Sequence, residues 1–139
     1  PNIAKGYWNR PGETAATFVD GWVRTGDLAR IDEEGFLYIV DRAKDVVIRG
    51  GENIHCIEVE NCLFEHDGVA DAALVALPHR TLGEVPVAVV QVALGRAIEE
   101  AALLAHCAAR LAAFKVPVAI VFQHEPLPRN ASGKLLKHG

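Results

Sequence analysis

The sequence contains no methionine, no apolar run of about twenty residues and no secretion signal at its N-terminus. The missing run excludes a membrane-spanning helix, and the missing signal leads us to expect a cytoplasmic protein. The absence of an initiator methionine leads us to expect a piece of a longer polypeptide. A basic excess is also absent, since 14 Lys and Arg stand against 18 Asp and Glu. This mildly acidic balance argues against a nucleic-acid-binding protein, which needs a basic face.

Cysteine is scarce, with Cys56, Cys62 and Cys107 as its only occurrences. An odd number of cysteines in a chain without a secretion signal predicts reduced, buried thiols. A zinc site built from Cys56, Cys62, His55 and His66 is conceivable. No Cys-x-x-Cys pair supports it, so we predict no metal site in this chain.

The composition is that of a globular protein, with 50% apolar and 23% charged residues. A length of 139 residues suits one domain with room for a small second unit. Periodicity and turn signals predict helices over residues 12–19, 57–65 and 98–114, and strands over residues 22–25, 36–40, 46–48, 69–77, 85–94 and 118–122. From about residue 44 to 125, this order of elements predicts a two-layer α+β unit.

The charged stretch from Asp41 to Asp45 is the best candidate for a domain boundary, since few apolar contacts can cross it. Before it, strands 22–25 and 36–40 are predicted to form a hairpin around a type I turn at residues 32–35.

Both longer predicted helices carry an apolar face. In the helix over residues 57–65 the acidic side chains are predicted to face water, namely Glu58, Glu60 and Glu65. In the helix over residues 98–114 the stripe that faces the core consists of Leu104, Cys107, Leu111 and Phe114.

The tail from Pro126 to Gly139 has loop chemistry and no apolar period. It carries the cations Arg129, Lys134 and Lys137 and no acidic residue. Such a concentration of cations suits an anionic ligand. A solvated basic terminus is the alternative, and composition alone favours it.

Three common nucleotide or nucleophile motifs are absent. The segment Ser132-Gly133-Lys134 fails as a P-loop, because position 128 is Pro where Gly is needed and Leu135 replaces the metal-binding hydroxyl. No Gly-x-Gly-x-x-Gly fingerprint is present, and Ser132 lacks the flanking glycines of a nucleophile elbow.

Four segments carry a specific signal when they are taken together. They read GWVRTGD at residues 21–27, GFLYIVDRAKD at 35–45, GGENI at 50–54 and PRNASGK at 128–134. In this order and spacing the sequence closely resembles the adenylate-forming enzyme superfamily, which comprises acyl- and aryl-CoA synthetases, luciferases and peptide-synthetase adenylation domains.

The resemblance implies two parts. Residues 1–43 look like the end of a large N-terminal AMP-binding domain, with a helix and a β-hairpin. Residues 44–139 look like a small α+β lid domain, with a short sheet of about three strands and flanking helices. The implied enzyme is an acid–thiol ligase that uses ATP with Mg and then CoA. Its phosphate loop, acyl pocket and Mg ligands are expected in the large domain, which is its partner.

The resemblance also implies roles for individual residues. Lys134 is expected to be the catalytic lysine that bridges the carboxylate and the α-phosphate. Asp27 and Arg42 are expected to bind the ribose of ATP or AMP, although Asp27 could instead cap its own turn and Arg42 could pair with Asp41 or Asp45. The hinge is expected at Lys44.

Gly50 and Gly51 are expected to line the tunnel for the pantetheine arm of CoA, although sequence physics alone favours a plain glycine turn there. For Lys134 the alternative is an ordinary surface lysine without a catalytic role.

The strand and turn at residues 45–54 resemble those of medium- and long-chain acyl-CoA synthetases, so we expect a fatty acid as the carboxylic acid substrate. His55-Cys56 departs from the pattern often seen there, and this leaves the substrate group open. Two other functions stay open: an adenylating enzyme that loads a carrier protein, and a free-standing, non-enzymatic interaction module. The fragment alone is expected to be inactive in adenylation.

Overall fold

The computed structural model describes residues 3–131 and 135–137, with the backbone alone at position 44. The chain divides into two compact units, one ending at Lys44 and the other beginning at Asp45. The second unit is the larger one and contains every buried residue that the structure describes.

The first unit contains one short helix and two small antiparallel sheets. Its elements in chain order are α1 (Pro11–Thr17), β1 (Phe18–Val19), β2 (Trp22–Val23), β3 (Asp27–Ile31) and β4 (Leu37–Arg42). Strand β1 pairs with β2, and β3 pairs with β4.

The predicted hairpin of residues 22–25 with residues 36–40 is wrong. Asp32 explains the observed pairing, because its carboxylate accepts the backbone N–H of Phe36 and closes a tight turn. A turn this tight returns the chain onto the residues just before it, so β4 pairs with β3. The left-handed backbone of Gly21 returns β2 onto β1 in the same way.

The second unit is one sheet with two helices packed against it. A 3-10 turn at Ala43–Asp45 precedes the following elements: β5 (Val46–Arg49), β6 (Glu52–His55), α2 (Cys56–Phe64), β7 (Val69–His79), β8 (Gly83–Val92), α3 (Glu100–Ala108), a 3-10 turn (Ala113–Lys115) and β9 (Ala119–Gln123). The sheet order is β6-β5-β8-β7, and β9 pairs with β8 in parallel.

The predicted α+β class is confirmed, but the sheet has five strands rather than about three. The difference arises chiefly at β6, whose polar residues Glu52 and Asn53 give no strand signal in the sequence. The tight turn at Gly50-Gly51 nevertheless returns the chain onto β5, and β5 joins β8 through the pair Arg49 and Gly83.

The core lies between the sheet and the helices. Helix α2 lies where the sequence predicts it, but α3 ends at Ala108 instead of residue 114. The chain reverses after Ala108 so that β9 can lie parallel to β8, and this tertiary requirement ends the helix early. Leu111 and Phe114 still pack against the core, from outside the helix.

The prediction of reduced, buried cysteines is confirmed, since Cys56, Cys62 and Cys107 are all buried and none of the three forms a disulfide.

Candidate functional site

Asp27 and Arg42, the two residues expected at the ribose, face each other across the first unit's second sheet. They are directly opposite in the register of β3 and β4, and Arg42 Nε lies 3.2 Å from Asp27 Oδ1. The Asp27 side chain is 25% exposed and that of Arg42 is 52% exposed. The hydroxyl of Thr25 accepts the backbone N–H of Asp27 at 3.1 Å and orients this end of the strand. The carboxylate and the guanidinium thus form one exposed polar site.

Lys44 lies where the two units meet in the chain. Its backbone belongs to the 3-10 turn Ala43–Asp45, and Asp45 begins the second unit. The N–H of Ala43 donates to the carbonyl of Gly26 at 2.8 Å, which ties the end of β4 to the start of β3. The chain is therefore held by the first unit up to Ala43, immediately before the expected hinge.

Gly50 and Gly51 form the turn between β5 and β6, with φ angles of +60° and +91°. Two successive residues in the left-handed region are typical of a type I′ hairpin, which favours glycine. The N–H of Gly50 donates to the carbonyl of Leu82 at 2.7 Å. A Cβ at Gly50 would lie 3.3 Å from Leu82 Cδ2, whereas one at Gly51 would meet nothing within 4 Å. The turn alone accounts for both glycines, and their expected contact with CoA stays a prediction.

Lys134, the expected catalytic lysine, lies outside the described residues together with Ser132 and Gly133. Arg129 and Leu135 form an antiparallel bridge, and the N–H of Leu136 donates to the carbonyl of Pro128 at 2.8 Å. We call residues 127–137 the tail segment.

Two ion pairs of its described residues attach the tail segment to the rest of the second unit. Arg129 forms an ion pair with Asp71 on β7 at 2.5 Å, and Lys137 forms one with Glu60 on α2 at 2.8 Å. Leu127 adds an apolar contact, since it is only 5% exposed. Two of the three cations of the tail, Arg129 and Lys137, therefore pair with acids of their own unit.

Glu60 is a functional candidate that the sequence reasoning missed, because it was predicted to face water. The structure buries it. The signal was present, since Glu60 comes four residues after Cys56 and three before Leu63 and therefore shares their apolar face. Its carboxylate accepts the backbone N–H of Leu74 at 2.7 Å.

The charge of Lys137 is maintained by this environment. Burial by itself would lower the pKa of the ammonium group, but the hydrogen bond with Glu60 and the negative charges around it raise that pKa above its ordinary value. Lys137 is therefore a cation at neutral pH, and its contact with Glu60 is an ion pair.

A groove of about 410 Å³ lies between the tail segment and the sheet. Its walls include Val75, Leu77, Val89, Leu127, Leu136 and Lys137. Among residues 3–131 and 135–137, no cluster of three or more His, Cys, Asp or Glu side chains is arranged to hold a metal ion. No helix in the described part of the chain is long and apolar enough to cross a membrane.

Comparison with known proteins identifies one family. The family described as AMP-binding enzyme C-terminal domain matches residues 58–134. The chain is 48% identical over 137 residues to 2-succinylbenzoate–CoA ligase of Geobacillus kaustophilus, a match over 99% of this chain and 28% of that protein. It is 44% identical over 135 residues to the long-chain-fatty-acid–CoA ligase FadD13 of Mycobacterium tuberculosis, covering 97% of this chain and 26% of that protein.

Solved structures give the same result. The o-succinylbenzoate CoA synthetase (MenE) from Bacillus subtilis, in complex with its acyl-adenylate intermediate, matches with a TM-score of 0.89 and 41% identity over 98% of this chain and 28% of that chain. The same enzyme in complex with ATP and magnesium ion matches with a TM-score of 0.87 and 41% identity, again over 98% and 28%. The chain thus spans little more than a quarter of the length of the relatives it matches.

Proposed function

Because the chain belongs to the AMP-binding enzyme C-terminal domain family, we propose that it is the C-terminal part of an ATP-dependent acid–CoA ligase. The observation that supports this most directly is the family match over residues 58–134, which runs from helix α2 through the tail to Lys134. The relatives named as CoA ligases, which align with nearly the whole chain, support the same reaction class.

The proposed reaction has two steps. In the first, a carboxylate oxygen attacks the α-phosphorus of ATP, so that acyl-AMP forms and pyrophosphate leaves. In the second, the CoA thiol attacks the acyl carbon, the thioester forms and AMP leaves. The first step brings two anions together, so it needs a cation where negative charge accumulates. Lys134 is proposed to supply that cation, as a compact ammonium on a flexible stem.

Asp27 and Arg42 are proposed to hold the ribose. A carboxylate can accept hydrogen bonds from both hydroxyls of a ribose diol, and a guanidinium can donate to the same oxygens. Their opposed positions on β3 and β4, with 3.2 Å between Arg42 Nε and Asp27 Oδ1, support a shared role at one ligand group.

Magnesium is proposed to enter with ATP. The described residues hold no cluster that fits a metal ion, so its protein ligands are proposed to belong to the large domain rather than to this chain. The MenE complex with ATP and magnesium ion supports the use of both by a relative.

The acyl substrate is proposed only at the level of a carboxylic acid with an apolar or aromatic body. One relative is named for 2-succinylbenzoate and another for long-chain fatty acids, and both align with almost all of this chain. A fatty acid is therefore one candidate, and an aryl-containing acid is a second.

Lys44 is proposed as the hinge at which the backbone rotates between the two reaction steps. Gly50 and Gly51 are proposed to lie beside the pantetheine arm of CoA. The border of the two units at Lys44 supports the first role, because a hinge is a short segment between rigid parts.

ATP–pyrophosphate exchange tests the proposed function in the complete polypeptide that carries this chain. A panel of fatty and aryl carboxylic acids would be supplied one at a time, with the enzyme minus acid as the control. We expect exchange with at least one class of acid, followed by thioester formation when CoA is added. Acid-dependent exchange that never yields a CoA thioester would point to a carrier-protein acceptor. Absence of exchange with every acid would contradict the proposal.

A further inference from the structure

Glu60 is the only buried charged residue in the part of the chain that the structure describes. Its Oε1 atom accepts two hydrogen bonds, from the backbone N–H of Leu74 at 2.7 Å and from Lys137 Nζ at 2.8 Å. A buried carboxylate is costly unless such donors surround it. Glu60 therefore connects three parts of the second unit: helix α2, strand β7 and the tail segment.

The tail segment is held on both sides of residues 130–134. On the N-terminal side, Arg129 bonds Asp71 of β7 and pairs with Leu135 in an antiparallel bridge. On the C-terminal side, Lys137 bonds Glu60. Both acids belong to the same compact unit, so Arg129 and Lys137, on either side of residues 130–134, are attached to one unit.

The pair formed by Lys137 and Glu60 differs in position from a second pair on the same helix. Lys115 Nζ lies 2.7 Å from both carboxylate oxygens of Glu58. The Lys115 side chain is 21% exposed, and that of Lys137 is 15% exposed. The Lys115 pair joins α2 to the 3-10 turn before β9. The pair of Lys115 with Glu58 therefore serves as a control, because it is also a lysine–glutamate ion pair on α2 but lies at a different site.

We propose that Glu60 and Lys137 form an anchor that positions Lys134 for adenylate formation, an inference that rests on the function proposed above. Lys134 comes three residues before Lys137, so release of Lys137 frees the chain directly after the catalytic lysine. Glu60 and Lys137 are positioning residues, since they act on the reaction only through Lys134.

The anchor acts on one half-reaction only. Stabilisation of the adenylation transition state depends on the exact place of the ammonium group, and a displacement of about 1 Å can reduce the rate by about a hundredfold. Thioester formation from acyl-AMP does not use Lys134 in the proposed mechanism. Loss of the anchor should therefore slow adenylation at least about tenfold and leave thioester formation close to its original rate.

The test compares Lys137→Met with the matched control Lys115→Met in the complete polypeptide. Each variant loses one lysine charge and its ion pair with α2. Adenylation would be followed by pyrophosphate release, and thioester formation by adding CoA to supplied acyl-AMP. Hydrogen exchange of the tail segment would be measured without substrate, with the Leu136 N–H as the local probe and β8 as the internal reference.

We expect Lys137→Met to accelerate exchange in the tail segment about tenfold relative to β8 and to slow adenylation selectively, whereas Lys115→Met does neither. Glu60→Gln is the second variant, because its amide oxygen still accepts the Leu74 N–H and leaves the core satisfied. Glu60→Gln should also slow adenylation without slowing thioester formation, and should also accelerate exchange in the tail segment, but both effects should be smaller than in Lys137→Met.

Unchanged exchange in the tail segment of both Lys137→Met and Glu60→Gln would overturn the anchor. Equal loss of both half-reactions in Glu60→Gln would overturn the positioning role. These results are distinguishable from failure of the proposed function, in which the unmodified protein forms no adenylate although hydrogen exchange still reports on the anchor.

Discussion

Burial changes the chemistry of Cys107 in the core of the second unit. Burial raises the pKa of its thiol to about 12, and the neighbouring Cys62 contributes to the shift. Burial also raises the pKa of Cys62. With a pKa near 12, only a fraction of about 10⁻⁴ of Cys107 is the reactive thiolate at pH 8.

The same shift makes the stability of the fold depend on pH. The folded pKa lies above the ordinary value of 9.0, so Cys107 loses its proton in the unfolded chain first. The contribution of this thiol to the free energy of unfolding therefore declines as the pH rises from 9.0 toward 12.

Alkylation with iodoacetamide measures this burial. We expect all three cysteines of the native protein to react at least about a hundredfold more slowly than those of the chain unfolded in guanidinium chloride, since both thiolate fraction and access are reduced. Mass spectrometry of the digested protein would assign the rate at each site. A native thiol that reacts as fast as in the unfolded chain would show that the core is open there.

At the scale of secondary-structure elements, the sequence predicts which helices and strands exist better than it predicts where they end. The period of α2 is clear because Cys56, Val59, Cys62 and Leu63 all pack into one core. The end of α3 could not be predicted, since nothing in the Ala-rich stretch near Ala108 opposes a helix locally. The chain must reverse there so that β9 can lie beside β8, and that requirement is tertiary. The pairing of residues 22–25 with residues 36–40 was wrong for a local reason, because tight turns rather than strand propensities select the partners.

The turn between β5 and β6 yields a prediction that separates structure from ligand binding. Gly50→Ala should lower the free energy of unfolding by about 1–2 kcal/mol, because an L residue is strained in the left-handed region. Gly50→Asn should cost less, since Asn adopts this conformation more readily. Thermal unfolding compares the two variants. If Gly50 also approaches pantetheine, Gly50→Asn will raise the KM for CoA while the protein stays stable, and an unchanged KM would leave the turn as the only role.

At the scale of the whole molecule, the resemblance in the sequence located the expected site residues but not the contacts that support them. Asp27 and Arg42 are 15 positions apart in the sequence and become neighbours only through the register of β3 and β4. The cations Arg129 and Lys137 looked available to a ligand because their partners, Asp71 and Glu60, are more than 50 residues away in the chain. Charge counted along a sequence does not show which charges are already paired in the fold.

The border at Lys44 leads to a prediction about movement between the two steps. Lys44→Pro fixes φ at the expected hinge and restricts Ala43 as well. If the backbone must rotate here after adenylation, pyrophosphate release should continue while thioester formation from supplied acyl-AMP falls at least about tenfold. Equal rates for both steps in the variant and the unmodified protein would exclude a hinge at this position.

The most direct measurement concerns Lys134 and compares the two half-reactions in the complete polypeptide. Lys134→Ala should reduce acid-dependent ATP–pyrophosphate exchange by about 10²–10³-fold, because it removes the cation that stabilises the adenylation transition state. Thioester formation from supplied acyl-AMP should stay near its original rate, and the folded state can be checked by thermal unfolding. An equal loss of both half-reactions in a folded variant, or exchange at the original rate, would contradict the assignment of this chain as the domain that delivers the adenylating lysine.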